Sequence, residues 1–111
     1  MPRHLCSELV AVTWGDCEGC GNLEEIGEWT ALVLLEDFVP RGTQIRIRCE
    51  GYELKGFVET YEFEEPMGFF VEVRLDPESR WSPKWFTPQH LLAFQSEPVR
   101  KVFPLPMASG Y

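Results

Sequence analysis

The 111-residue sequence has no apolar run long enough to cross a membrane, and its first residues, "MPRHLCSEL", lack the basic-then-apolar order of a secretory signal. These two absences predict a cytoplasmic protein with no membrane partner. Positive charge is scarce: ten lysines and arginines stand against eighteen aspartates and glutamates, a formal net charge of −8. A surface of that sign repels phosphate backbones at long range, which excludes bulk nucleic-acid binding. The only histidines, His4 and His90, have no acid and nucleophile nearby in the pattern of a triad, and no glycine-rich phosphate loop is present. The sequence therefore predicts no enzyme and no cofactor. No long stripe of apolar residues recurs at helical spacing either, so a helical bundle is excluded.

What is present is material for one core, with 44% hydrophobic and 14% aromatic residues in a chain of single-domain length. Short runs rich in Val, Thr, Phe and Tyr are separated by Gly and Pro, the pattern of a mostly β domain. "LVAVTW" (9–14) reads as a first strand, and "NLEEI" through "TALVLL" as an extended region broken near Gly27. After the loop "EDFVPRGT", the run "QIRIRCE" alternates cleanly, with Ile45, Ile47 and Cys49 on one face and the arginines on the other. "GYELKGFVETY" and "MGFFVEVRL" are the next strands, joined by "EFEEPM". In the second, Phe69, Val71, Val73 and Leu75 share a face. Gly56, inside its strand, predicts a bend or bulge.

Ser82 and Thr87, each followed by proline, predict two short helical turns, and Trp81, Trp85 and Phe86 beside them predict a plug for one end of the fold. The domain is expected to span 1–96, with 97–111 an extended, proline-bearing tail. The run "ALVLL" (31–35) is apolar at every position, so its outer face needs a cover. Val99, Val102, Phe103, Leu105 and Met107 supply apolar groups for that role. The tail is thus expected to dock on its own barrel or on that of a second copy, and exchange of tails would make a homodimer.

The order of these elements over positions 9–92 resembles the PilZ domain, a bacterial β-barrel module that binds cyclic di-GMP. The likeness rests on "NLEEIGEWTALVLLEDFVPRGTQIRIR" and on "LKGFVETY" with "MGFFVEVRL". The closing "RWSPKWFTPQHLL" is similar to the ending of a PilZ-like subgroup of acidobacteria. The resemblance implies an all-β fold, a small six-stranded antiparallel barrel with short C-terminal helical turns. In that family an R-x-x-x-R pair before the first strand stacks on guanines and pairs with phosphates. Arg3 matches its first member, and Ser7 stands where the second belongs. The signature D-x-S-x-x-G falls on Glu25, Gly27 and Thr30: an acid one methylene longer, no hydroxyl, and a β-branched residue in place of glycine. The implied ligand positions are Arg3, Glu25, Gly27 and Thr30. The departures imply a non-enzymatic regulatory or protein-interaction module whose cyclic di-GMP signature is degenerate, working through a protein partner. The alternative is a cyclic di-GMP receptor using a reduced site of Arg3, Glu25 and Thr30.

Cys17 and Cys20 form a C-x-x-C pair, half of a tetrahedral zinc site, and no second pair completes it. Cys6 or His4, with Cys49 from a distant strand, would have to supply the rest. The expectation is a pair of reduced cysteines on a hairpin tip, with a zinc-stabilised interaction module as the alternative. Arg41, Arg46 and Arg48 make a small basic patch, read as solvation and cross-strand pairing. Glutamates 50, 53, 59, 62, 64 and 65 read as a solvated hairpin edge that discourages aggregation.

Overall fold

Side chains in an extended chain alternate between faces, so any strand with one wet and one dry side must alternate in burial. That pattern holds in the "QIRIRC" run, where Ile45, Ile47 and Cys49 are buried between exposed Gln44, Arg46 and Arg48. The structure, a computed structural model, describes residues 3–92. The predicted tail, 97–111, and its docking lie outside the described residues.

Six strands form: β1 (Arg3–Trp14), β2 (Cys17–Gly27), β3 (Thr30–Leu35), β4 (Gln44–Cys49), β5 (Tyr52–Glu64) and β6 (Gly68–Leu75). They close into a barrel in the order β1-β2-β3-β6-β5-β4, each neighbour antiparallel. The all-β, six-stranded antiparallel barrel is thus as expected. β1 begins six residues before the predicted strand, because Cys6, Glu8 and Val10 continue the inward alternation that Val12 ends. The core is aliphatic, built on Val12, Leu23, Ile26, Val33, Ile47, Leu54, Val58, Val71 and Val73, all fully buried.

Three bulges shift the register, between Leu5 and Glu8, between Leu23 and Glu25, and between Val58 and Thr60. On β2 and β5 the extra residue switches which side chains face inward beyond it, from Leu23 to Ile26 and from Val58 to Tyr61, whereas β1 keeps its alternation. Gly56 sits where β5 and β6 approach most closely: a Cβ there would lie 2.1 Å from the carbonyl oxygen of Arg74. Only glycine fits there, while the β5 bulge itself falls further on, between Val58 and Thr60.

The helical turns come out smaller than expected. One 3-10 turn forms earlier in the chain, at Pro77–Ser79. Ser82 closes a single turn, its carbonyl accepting from the Trp85 amide at 2.9 Å and its hydroxyl from the Lys84 amide at 3.1 Å. Thr87 starts no helix. A helix needs several residues to repay nucleation, and the residue before a proline is pushed out of helical geometry. Trp81 and Phe86 do plug the barrel, with the Trp81 indole donating to the Phe86 carbonyl at 3.0 Å, while Trp85 stays on the rim against Tyr52.

The barrel closes between β1 and β4 over three paired positions only, from Ala11 opposite Arg48 to Thr13 opposite Arg46. Beyond them the segment 89–92 lies along β1: the Ser7 amide donates to the Gln89 carbonyl at 3.1 Å, and the Leu92 amide to the Leu5 carbonyl at 2.8 Å. Buried Glu8 clamps this junction, its carboxylate accepting the Gln89 amide at 2.8 Å and the Glu50 amide at 3.2 Å.

Candidate functional site

The outer surfaces of β2, β3 and β6 carry Glu25, Leu32 and Glu72 side by side at one level. Arg3, on β1 opposite Gly27, reaches across this row. Its guanidinium donates to Glu25 Oε1 at 3.2 Å and to Glu72 Oε2 at 2.5 Å, so it spans the half-buried Leu32 between them. Partial burial lowers the Arg3 pKa, but the bonds and charges of Glu25 and Glu72 outweigh that, and the net shift is above the ordinary arginine value. Arg3 therefore stays charged and is held by two carboxylates.

The structure brings together three of the four predicted ligand positions, Arg3, Glu25 and Gly27. Thr30 lies on the same outer face of β3, opposite Arg74, and takes no part in the ion pairs. Ser7, where the second arginine of the motif would stand, donates to the Asn22 side chain at 3.4 Å. Glu72 is the residue that sequence reasoning missed: it lies 69 positions from Arg3, and only the strand order makes them neighbours. A groove of about 580 Å³ opens at the network, lined by Arg3 itself, by Leu32, Thr60, Tyr61 and Phe70, and by the acids Glu62, Glu64 and Glu72. A phosphate entering it would meet carboxylates, not a free cation pair. On the outer face of β3, Leu32 and Leu34 are half-buried.

The cysteines require a correction. The chain reverses at Gly15 and Asp16, with Gly15 at φ 54°, and both cysteines of the pair belong to β2, not to the hairpin tip. Residues three apart on a strand point to opposite faces, and about 10 Å of extended chain separates them. Cys17 and Cys20 are exposed, unbridged, and do not aim at one point. Among the described residues no group of three or more His, Cys, Asp or Glu is gathered as a metal site. Cys6 and Cys49 are the reverse case, buried and near one another under Glu8. Burial first, and then the Glu8 charge, pushes each thiol up to about 12. They are inert at neutral pH.

A second feature comes from the bulge at Glu59. Beyond it, Tyr61 and Phe63 turn to the inner side, opposite Val71 and Phe69, while Thr60, Glu62 and Glu64 face outward. This stretch extends past the last β4 pairing, at Phe57, as a hairpin arm. Phe38, from the β3–β4 connection, packs edge-on against Tyr61 at 4.8 Å and tilted against Phe69 at 5.5 Å, and Phe63 meets Phe69 at 4.9 Å. Phe38, Phe63 and Met67 nevertheless remain 47%, 55% and 51% exposed. Reading "EFEEPM" as a connection hid this arm. The signal was the alternation Tyr61-x-Phe63, which continues the strand.

Charge is segregated as well. No lysine or arginine occurs between positions 15 and 40 or between 56 and 73, which covers β2, β3, the arm and most of β6. The cations Arg46, Arg48 and Lys55 gather instead on the outer face of β4 and the first half of β5. No helix among the described residues is long and apolar enough to cross a membrane. No protein-family model matches the chain, and searches of curated proteins and of solved structures return no match.

Proposed function

We propose that this chain is a non-enzymatic, cytoplasmic interaction or regulatory module with a PilZ-like barrel, in which the nucleotide-binding positions serve an internal ion-pair network. The supporting observation is the engagement of Arg3 by Glu25 at 3.2 Å and Glu72 at 2.5 Å. Nucleotide capture at this place needs a cation free to meet phosphate, and both carboxylates would stand against the incoming charge. The exposed aromatic arm supplies a surface for a protein partner, since contiguous apolar exposure of this kind marks interaction sites.

The second reading, a cyclic di-GMP receptor with a reduced site, is favoured by the convergence of Arg3, Glu25 and Gly27. Calorimetric titration with cyclic di-GMP separates the two. The expected result is no saturable heat, and the double substitution Glu25→Gln with Glu72→Gln should raise whatever weak anion binding exists. A saturable isotherm that Arg3→Ala abolishes would sink the first reading in favour of the second.

A further inference from the structure

The described surface carries two uncompensated faces of opposite sign, each with an exposed aromatic. Beside the arm, in the β3–β4 connection, Phe38 follows Glu36 and Asp37, and on the arm itself Glu64, Glu65 and Pro66 separate Phe63 from Met67. These acids are exposed, and none makes an ion pair with another described residue. On β4 and β5, Arg46 stands directly opposite Lys55, a like-charge pairing that costs stability within the sheet. Arg46 has one loose contact, to Glu53 at 4.0 Å, and Lys55 makes no ion pair with another described residue. Phe57, 37% exposed, sits on the same face between Lys55 and Arg74, the residue opposite it on β6.

An acid-rich chain has ample carboxylates with which to neutralise those cations, yet its strand order keeps them apart. The partner that satisfies both faces at once is another molecule with the same two faces.

We propose that the aromatic arm of one copy docks on the Arg46–Lys55–Phe57 face of a second copy, the arm's acids pairing with the cations while Phe63 and Met67 cover Phe57. The two surfaces differ, so a reciprocal pair of such contacts closes a dimer about a two-fold axis and a single contact propagates a chain of copies. The net charge of −8 opposes association at long range, but at physiological salt screening acts over about 8 Å and leaves the short-range pairs as the deciding interactions. This inference does not depend on whether nucleotide binds at Arg3.

Charge exchange tests it on the full chain by sedimentation equilibrium. The native chain should self-associate. Asp37→Lys with Glu65→Lys, and separately Arg46→Glu with Lys55→Glu, should each weaken association by tenfold or more, the scale of about 1.4 kcal/mol. An equimolar mixture of the two variants should associate again, because each then offers the sign that the other needs. Phe63→Ser, at an exposed site, should weaken association while leaving the circular dichroism spectrum of the folded chain unchanged. A native chain that is monomeric at every concentration would overturn the proposal, and so would a mixture that fails to recover. If the monomeric chain instead binds a synthetic amphipathic peptide rich in lysine and arginine, the arm belongs to a basic protein partner and the second-copy assignment is wrong.

Discussion

Glu8 is a charged residue in the wall of a small barrel, 7% exposed, and its removal is the most informative single perturbation of the fold. Its two oxygens accept the amides of Gln89 at 2.8 Å and Glu50 at 3.2 Å, joining β1 to the β4–β5 turn and to the C-terminal segment. A buried donor left without an acceptor costs about 1–3 kcal/mol. Glu50 and Gln89 are themselves exposed residues, so water can reach their amides once the side chain is gone and the low end of that range, about 1–1.5 kcal/mol, applies to each. Glu8→Ala is therefore expected to lose about 2–3 kcal/mol in all. With a urea dependence of about 1.2 kcal/mol per molar for a domain of this size, the midpoint of urea unfolding should fall by about 2 M. Glu8→Gln keeps one acceptor oxygen and should lose roughly half as much. Urea titrations followed by tryptophan fluorescence read both, since Trp81 is buried in the folded chain. A midpoint within about 0.3 M of the native value for Glu8→Ala, with unchanged slope, would refute the clamp.

Gly56→Ala places a methyl 2.1 Å from the Arg74 carbonyl oxygen, which is backbone and cannot swing away, and should cost about 3 kcal/mol. Gly19→Ala is the control: its nearest neighbour would be the Trp14 ring at 3.4 Å, and thermal unfolding should differ from native by under about 0.5 kcal/mol. Cys6 and Cys49 titrate near 12 in the folded chain against an ordinary thiol value near 9, so the unfolded state gives up its protons first. Their contribution is thus complete below about pH 9 and is lost as pH rises toward 12, at about 1.4 kcal/mol per unit and thiol. The double variant Cys6→Ala with Cys49→Ala should show a flatter alkaline decline in urea midpoint, and an identical decline would refute the assignment. Mass spectrometry after brief iodoacetamide treatment should show Cys17 and Cys20 alkylated in the native chain and Cys6 and Cys49 only after unfolding.

Legibility in the sequence followed the range of the forces involved. Inward and outward sides of β4 and β6 follow from alternation, because one residue's neighbour on the same face is only two positions away. Gly56 marked a special position for a similar local reason, the absence of a side chain inside a strand, and what the structure shows there is a close approach of the Arg74 backbone. The bulges were not, since a single inserted residue such as Glu59 has no composition of its own and is defined by the partner strand. That one unreadable residue decides where Tyr61 and Phe63 point, and so conceals the arm. Arg3, Glu25 and Gly27 were found through a motif, whereas Glu72 was invisible because its relation to Arg3 exists only after six strands have been ordered. The C-x-x-C pair misled in the opposite direction: its spacing suits a turn, and extended geometry undoes it.

The narrow β1–β4 seam and the strip of pairing from residues 89–92 also impose a sequence of events in time. β1 is made before the other five strands, and the segment that completes its free side is made some eighty positions later. Until then the six strands can pair through the β2–β3 and β3–β6 ladders into one sheet, but its two edge strands, β1 and β4, have only three paired positions with which to close it. Pairings so far apart in sequence are slow to form because the chain's entropy must be surrendered before they reward it. For a nascent chain the cylinder is therefore an open, curved sheet whose β1 edge stays exposed until residues 89–92 are made, and Gln89 arriving at Glu8 is the event that ends that exposure.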